Sequence, residues 1–229
     1  MRRSVILGRD DSAQYRESDE IEVLTENHKH FCDRLRQISQ SFGDRIAVLD
    51  LGCGTGRYFH CLQNVERLTG IDVSVEMVKQ ARSPVKGDRV TISRVDLVSA
   101  NILDIHLRGR FNLIYSIGVF GEFVPWDVAT CNRFHDALES GGKLFFTVVD
   151  VFSKYPNMSM KRRVAETVNL ILPSLWKRKL RQRLGTYYVT EREMIGIFKK
   201  SKFRQFEILR HVSTARLWKG AHYECLATR

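Results

Sequence analysis

The chain has 229 residues, of which 43% are hydrophobic and 28% charged, and carries a net charge of +11. That length and balance fit one ordinary globular domain and leave no room for a second of any size. No stretch approaches the ~18 apolar residues of a membrane span, and the apolar run behind Met1-Arg2-Arg3 is only Val5-Ile6-Leu7, too short for a signal-peptide core. A soluble, cytoplasmic protein is expected. Five cysteines stand at 32, 53, 61, 131 and 225. They form an odd set without a Cys-x-x-Cys pair, so reduced thiols are expected rather than a disulfide framework or a zinc knuckle.

In chain order, the first forty-odd residues are polar, with a helical pattern from Ile21 to Ile38 carried by Leu24, Phe31, Leu35 and Ile38. After Gly43-Asp44 the texture changes. Ile46–Leu51 is apolar except for Asp50, as in a strand buried on both faces. Further strands are predicted at Arg67–Ile71, Val90–Val95, Phe111–Ser116 and Leu144–Val149. Helices fall between them, at Val75–Arg82 behind Ser74 as N-cap and at Trp126–Leu138 before Gly141-Gly142. This alternation predicts an α/β, doubly wound, mostly parallel sheet. From 151 to 185 the alternation stops. Met160, Val164, Val168, Ile171 and Leu172 share one helical face, Pro173 breaks it, and Trp176, Leu180 and Leu184 make a second stripe. Thr190-Glu191-Arg192-Glu193 is a capping box that opens a helix over Glu191–Lys200. Two last strands, Phe206–His211 and Tyr223–Ala227, are joined too closely for a crossover helix and should pair antiparallel.

The decisive segment is Val48-Leu49-Asp50-Leu51-Gly52-Cys53-Gly54-Thr55-Gly56-Arg57-Tyr58, a strand running into a glycine-rich turn with a helix expected behind it. Glycines 52, 54 and 56 permit a sharp turn and leave no Cβ between backbone and ligand. In an open α/β sheet the crevice beyond the carboxyl end of the first strand is where ligands bind. Asp72 closes the second strand, twenty-two residues after Asp50, and an acid there can accept a pair of ribose hydroxyls.

The run Leu49–Gly56 resembles motif I of the class I S-adenosylmethionine-dependent methyltransferases, and Asp72 falls where that family keeps its ribose-binding acid. The resemblance implies a seven-stranded Rossmann-like sheet with an antiparallel last strand and S-adenosylmethionine as methyl donor. By the same resemblance the donor contacts are Asp50, Gly52, Cys53, Gly54, Gly56, Asp72 and Val73. Asp96, read as closing the third strand, would meet the adenine amino group, with Leu97 lining the adenine slot; Ser116 and Ile117 would face the methionine arm. The likeness covers 44–150 and 186–229. One methyltransferase domain is expected over 1–229, with a helical N-terminal cap at 1–43, a donor-binding core at 44–150, a basic helical insertion at 151–185, and a C-terminal helix and strands at 186–229.

The competing reading is a nicotinamide dinucleotide site, which needs Gly-x-Gly-x-x-Gly. Here Arg57 stands in place of the third glycine, and Asp50 suits a methionine ammonium but repels a pyrophosphate. For catalysis, Glu122, His28 and His30 are the candidates, each set against an ordinary surface role; His135 is read as solvated. Tyr15 and Arg16 are placed near the donor carboxylate. No metal site is expected. In-line methyl transfer needs no dedicated base, because a sulfonium already leaves well and alignment does much of the work. The Asn/Asp-Pro-Pro-aromatic run of nucleobase amino-methylating enzymes is replaced by Ser116-Ile117-Gly118-Val119, and no Pro-Cys nucleophile is present. A small-molecule or lipid-like acceptor is therefore placed ahead of RNA, and a catalytically silent donor-binding partner subunit stays open as a further alternative. Between Lys154 and Leu184 nine Lys or Arg face one acid, Glu166. That basic segment reads as a solvated face, as a lid over the acceptor, or as an attachment site for anionic membrane or nucleic-acid phosphate. Nothing in the sequence sets the oligomeric state.

Overall fold

A computed structural model of the chain describes residues 9–105, 107, 110–121, 124–150, 164, 176, 189–212 and 221–229. Two helices come first, α1 (Arg9–Glu22) and α2 (Glu26–Gln40). The single helix expected over Ile21–Ile38 is thus interrupted, because Thr25 adopts an extended conformation and accepts the His28 amide as N-cap of α2. Then follow β1 (Ile46–Leu51), β2 (Val65–Asp72), α3 (Val75–Ala81), β3 (Arg94–Ser99), β4 (Phe111–Ser116), α4 (Val128–Ala137), β5 (Leu138–Val149), α5 (Glu191–Lys200), β6 (Gln205–Val212) and β7 (Ala221–Thr228). Ser74 caps α3, and the Thr190–Glu193 capping box forms in full at α5.

The strands make one seven-stranded sheet in the order β3-β2-β1-β4-β5-β7-β6. β1 to β5 pair in parallel, and β7 runs antiparallel to both its neighbours. Helices cover both faces, as the α/β reading requires. On one face Phe134, Trp126, Phe146, Met194 and Phe198 join α4 and α5 to the sheet. On the other, Phe31, Leu35 and Ile38 of α2 pack on Val48, Leu113 and Tyr115. At about 1.5–3 kcal/mol for each large apolar side chain buried, α2 belongs to the core; α1 lies over the turn after β1, where Asp19 meets Thr55 and Arg57.

Three local readings are corrected. The helix expected directly after the glycine loop is only a 3-10 turn, Phe59–Cys61. Residues 57–64 alone separate Gly56 from β2, and eight α-helical residues span ~12 Å, short of the ~20 Å needed to run back along a six-residue strand. The return is made in irregular chain instead, and α2 covers the sheet face there. The third strand is Arg94–Ser99, not Val90–Val95. It is an edge strand exposed on much of both faces, so its apolar pattern is weak. Finally, α4 ends at Ala137 and β5 begins at once at Leu138, with Gly141 (φ 75°) inside the strand.

Candidate functional site

The glycine loop builds the site from its backbone. Gly52, Gly54 and Gly56 have φ of 79°, 54° and 72°, values that side chains with a Cβ rarely adopt. A Cβ on Gly52 would stand 2.3 Å from Val119 Cγ2, and one on Gly56 2.7 Å from the Phe59 ring. The loop is fixed to the second strand by Asp72, whose Oδ2 accepts the Gly54 amide at 3.0 Å while Oδ1 accepts the Ser74 amide at 2.9 Å. Each oxygen keeps a lone pair for a further donor. Burial raises the Asp72 carboxyl above its usual range, opposed by those two amides.

Asp50 lies at the floor, 3% exposed, and accepts the Tyr115 hydroxyl at 2.7 Å. Burial pushes its carboxyl up to about 7, with Asp72 adding to the rise and the Tyr115 hydrogen bond and Arg57 opposing it. A buried carboxylate without a full countercharge is a ready acceptor for a cationic group. Ser116 donates to the Leu51 carbonyl at 2.7 Å and so ties β4 to β1 beneath the loop. Burial raises the Cys53 thiol well above its ordinary value, which keeps it neutral and unreactive.

A cavity of about 40 Å³ lies here, lined by Tyr15, Asp19, Asp50, the loop from Gly52 to Thr55, Arg57, Tyr58 and Ile117. It is small because α1 closes over it: Asp19 accepts Thr55 Oγ1 at 2.5 Å and Arg57 Nη1 at 2.7 Å. A wider cleft of about 460 Å³, beside Asn132, Arg133 and Asp136 of α4, contains none of the motif residues. The shaped backbone and the buried acid lie at the smaller cavity.

The expected residues do not all gather there. Asp50, Gly52, Cys53, Gly54 and Ile117 line the cavity and Tyr15 joins them, whereas Arg16 turns away to the Ser83 carbonyl and Glu20. Gly56, Asp72, Val73 and Ser116 shape the loop and its supports. Leu97 lies over Gly70 beside Cys53. Asp96 is corrected: it stands in the middle of β3, its side chain 37% exposed and paired with Arg94 at 2.9 Å. The carboxyl end of that strand is Ser99, where the Ala100 amide donates to the Asp72 carbonyl and Asn101 follows. The strand ends four residues later than expected, at Ser99 in place of Val95, so the position just past it is Ala100, with Asn101 next.

His28 is 2% exposed, which overturns its surface reading, and burial lowers it to about 3. His30 contacts Glu224 at 2.5 Å and stacks on His211, 3.9 Å between centroids. His135 is half-buried against Phe203, away from the cavity. Glu122 lies outside the described residues, as does most of the 151–185 insertion. Of that insertion Val164 and Trp176 are described; both are helical and exposed, at 59% and 66%. Asp150 and Val189, on either side of it, form a β-bridge at the carboxyl end of β5. The expectation of reduced cysteines is corrected as well: Cys32 of α2 and Cys61 of the 3-10 turn form a disulfide, while Cys53, Cys131 and Cys225 are free and buried. Two chain-distant cysteines carry no spacing signal, so sequence gave no hint of the pair. Asp19, Thr55, Arg57 and Tyr58 were also missed as cavity residues; the acidic run around Asp19 was their only sequence signal.

Residues 48–142 match the family described as a methyltransferase domain. Over 135 residues the chain is 30% identical to a "Probable fatty acid methyltransferase" of Pseudomonas putida, covering 57% of this chain and 33% of that one. It is 28% identical over 117 residues to a malonyl-[acyl-carrier protein] O-methyltransferase of Priestia megaterium, covering 49% and 40%. The chain thus spans well under two thirds of the length of these curated relatives. Among solved structures it is similar in fold to the N-methyltransferase NodS of Bradyrhizobium japonicum WM9 in complex with S-adenosyl-L-homocysteine, with a TM-score of 0.59, 17% identity, and 89% and 88% of the two chains covered. Sheet order and overall likeness give the chain the Rossmann-like fold of class I methyltransferases, and its segment 48–142 is similar to a methyltransferase domain.

Proposed function

We propose that the chain binds S-adenosylmethionine in the crevice over the glycine loop and transfers its methyl group to a small-molecule or lipid-like acceptor. The observation that carries this reading is the Asp72–Gly54 hydrogen bond. It sets a carboxylate with two oxygens at the rim of a loop that no Cβ intrudes upon, as a ribose diol requires. Asp50 supplies the second requirement, a buried anion for the methionine ammonium, and Asn101, whose side chain accepts the Leu103 amide and donates to Asp104, follows the carboxyl end of β3 on the side proposed for adenine. A dinucleotide pyrophosphate would instead meet two carboxylates, Asp50 and Asp72.

Bound there, the donor supplies a methyl group on a sulfonium, open to in-line attack by a nucleophile. The protein's own part is to orient and to exclude water. Tyr15 and Asp19 of α1 cover the crevice, and a nucleoside-sized ligand needs several hundred Å³, so α1 swings aside for entry and closes afterwards. The insertion leaves and rejoins the sheet at the Asp150–Val189 bridge, on the same carboxyl edge as the crevice, a place suited to covering an acceptor. Its basic charge suits an anionic one. A carboxylate or acyl acceptor agrees with the fatty acid and malonyl-[acyl-carrier protein] named for the two relatives.

Incubation of the purified chain with methyl-labelled donor and separated small-molecule, lipid and RNA fractions tests the reading. Label is expected in the small-molecule or lipid fraction. Label in RNA alone refutes the acceptor class, and donor binding with no transfer to any fraction favours the silent partner subunit.

A further inference from the structure

Four potential ligands meet where α2 crosses the 3-10 turn behind the glycine loop. His28 and Cys32 are one helical turn apart on α2, so they face the same way, and His60 and Cys61 come together from the turn. Nε2 of His28 lies 3.2 Å from Cys32 Sγ, and Nε2 of His60 lies 3.6 Å from Cys61 Sγ and 3.9 Å from Cys32 Sγ. All four ligand atoms lie within 4.8 Å of one another. The edges of a tetrahedron around zinc, built from Zn–S of ~2.3 Å and Zn–N of ~2.0–2.1 Å, are roughly 3.3–3.8 Å. Three of the four nitrogen–sulfur edges are close to those lengths already, and the remaining nitrogen–sulfur and nitrogen–nitrogen separations lie within 4.8 Å. The two sulfurs, bonded here as a disulfide, must move apart.

We propose that, in its reduced form, this chain holds one zinc ion between His28, Cys32, His60 and Cys61, and that the disulfide is the oxidised state of the same site. A dithiol reductant gives two electrons and two protons to the Cys32–Cys61 bond and is itself oxidised to a disulfide, leaving two thiols. Zinc then displaces both thiol protons to solvent and is bound by two thiolates and two neutral imidazoles, the Cys₂His₂ set of closed structural sites. His28 gives the independent pointer to a ligand. It is almost wholly buried, and among the described residues its Nδ1 has no hydrogen-bond partner and its side chain's one polar contact is Nε2 toward sulfur. Sulfur is a weak partner for a buried imidazole, whereas a metal is a strong one.

The position gives the site a consequence. His28 stacks on Tyr58, with centroids 5.0 Å apart, and Tyr58 lines the cavity over the glycine loop. Either cross-link, metal or disulfide, fastens α2 to the chain leaving that loop, where no full helix is present to hold it. The inference is independent of the donor reading, since none of its ligands is a proposed donor contact. A neighbouring group, His30, His211 and Glu224, also has metal-ligand chemistry, but its carboxylate is already engaged by Arg34 at 3.4 Å.

Titration of the full chain with Co²⁺ under anaerobic reducing conditions tests the proposal without any mutation. It is expected to take up one equivalent, with the visible bands of a tetrahedral ion and a near-ultraviolet thiolate-to-metal band, both abolished by one equivalent of Zn²⁺. The disulfide form should give neither band. His60→Gln should weaken uptake at least roughly tenfold, more than the loss of a supporting group around a metal costs at its mildest. Cys32→Ser should remove the thiolate band or leave a weakened one, while His211→Gln should leave the spectrum unchanged. Absence of stoichiometric cobalt uptake by the reduced wild-type chain overturns the proposal. So does a spectrum lost in His211→Gln but kept in His60→Gln and Cys32→Ser.

Discussion

Asp72→Ala tests the join on which the donor crevice depends. The substitution removes the acceptor of two backbone amides, Gly54 at 3.0 Å and Ser74 at 2.9 Å, and with them both proposed ribose contacts. Hydrogen bonds to a charged acceptor are worth about 1.5–3 kcal/mol each. If water regains roughly half of the ribose pair, donor binding weakens by about 1.5–3 kcal/mol, a factor of roughly 13–160. The amides lie at a half-buried rim and are rehydrated in part, so stability should fall by about 1–2 kcal/mol, equivalent to roughly 2–8 °C in Tm for a chain of this size. Asp72→Asn keeps one carbonyl acceptor and should fall between wild type and Ala on both scales. Calorimetric titration with S-adenosylhomocysteine, beside a thermal melt of each protein, separates the two effects. A folded Asp72→Ala protein with wild-type affinity would refute the assignment of the crevice.

The raised carboxyl of Asp50 makes donor affinity depend on pH. A cationic ammonium favours the ionised form, so affinity should rise as pH climbs through about 7 and level off above it, and below 7 binding should release protons, seen as different heats in buffers of different ionisation enthalpy. For stability the sign is opposite: the folded value lies above the unfolded one, so the protonated form's contribution is complete below about 4 and lost as pH rises through about 7. Asp50→Asn should therefore melt higher than wild type at pH 8 while binding donor more weakly and without the pH step. Asp96→Ala should leave donor affinity within about twofold, because its partner is Arg94 at an exposed strand face worth little energetically, whereas Asn101→Ala should weaken it several-fold; the reverse order would restore Asp96 to the site. Deleting 151–185 should preserve donor binding and abolish methyl transfer, and transfer at the wild-type rate to a freely soluble acceptor would exclude a lid.

The sheet was legible because buried strands announce themselves. Ile46–Leu51 and Phe111–Ser116 are nearly continuous apolar runs, central in the sheet, and both were read to the residue. The caps at Ser74 and Thr190 were legible for a different reason, since a side-chain oxygen three residues before an orphan amide is a local device. Errors fell where the deciding force was not local. β3 is an edge strand with little burial on either face, so its frame slipped toward the apolar residues near Val90 and carried Asp96 into the site. The missing helix after the glycine loop was a matter of length. The motif predicts a helix start, but only the distance to Val65 reveals that none fits, and α2 fills the vacated face. Its burial of His28 and Cys32 against His60 and Cys61 joins residues about thirty positions apart, with no periodic or spacing signal to betray the contact.

The most direct test of the central claim is calorimetry of the purified chain with S-adenosylmethionine, S-adenosylhomocysteine and NAD in parallel. The glycine loop, Asp50 and Asp72 predict that the first two bind in the micromolar range, ~−7 to −8 kcal/mol, and that NAD gives no measurable heat. NAD binding more tightly than the methyl donor would contradict the account.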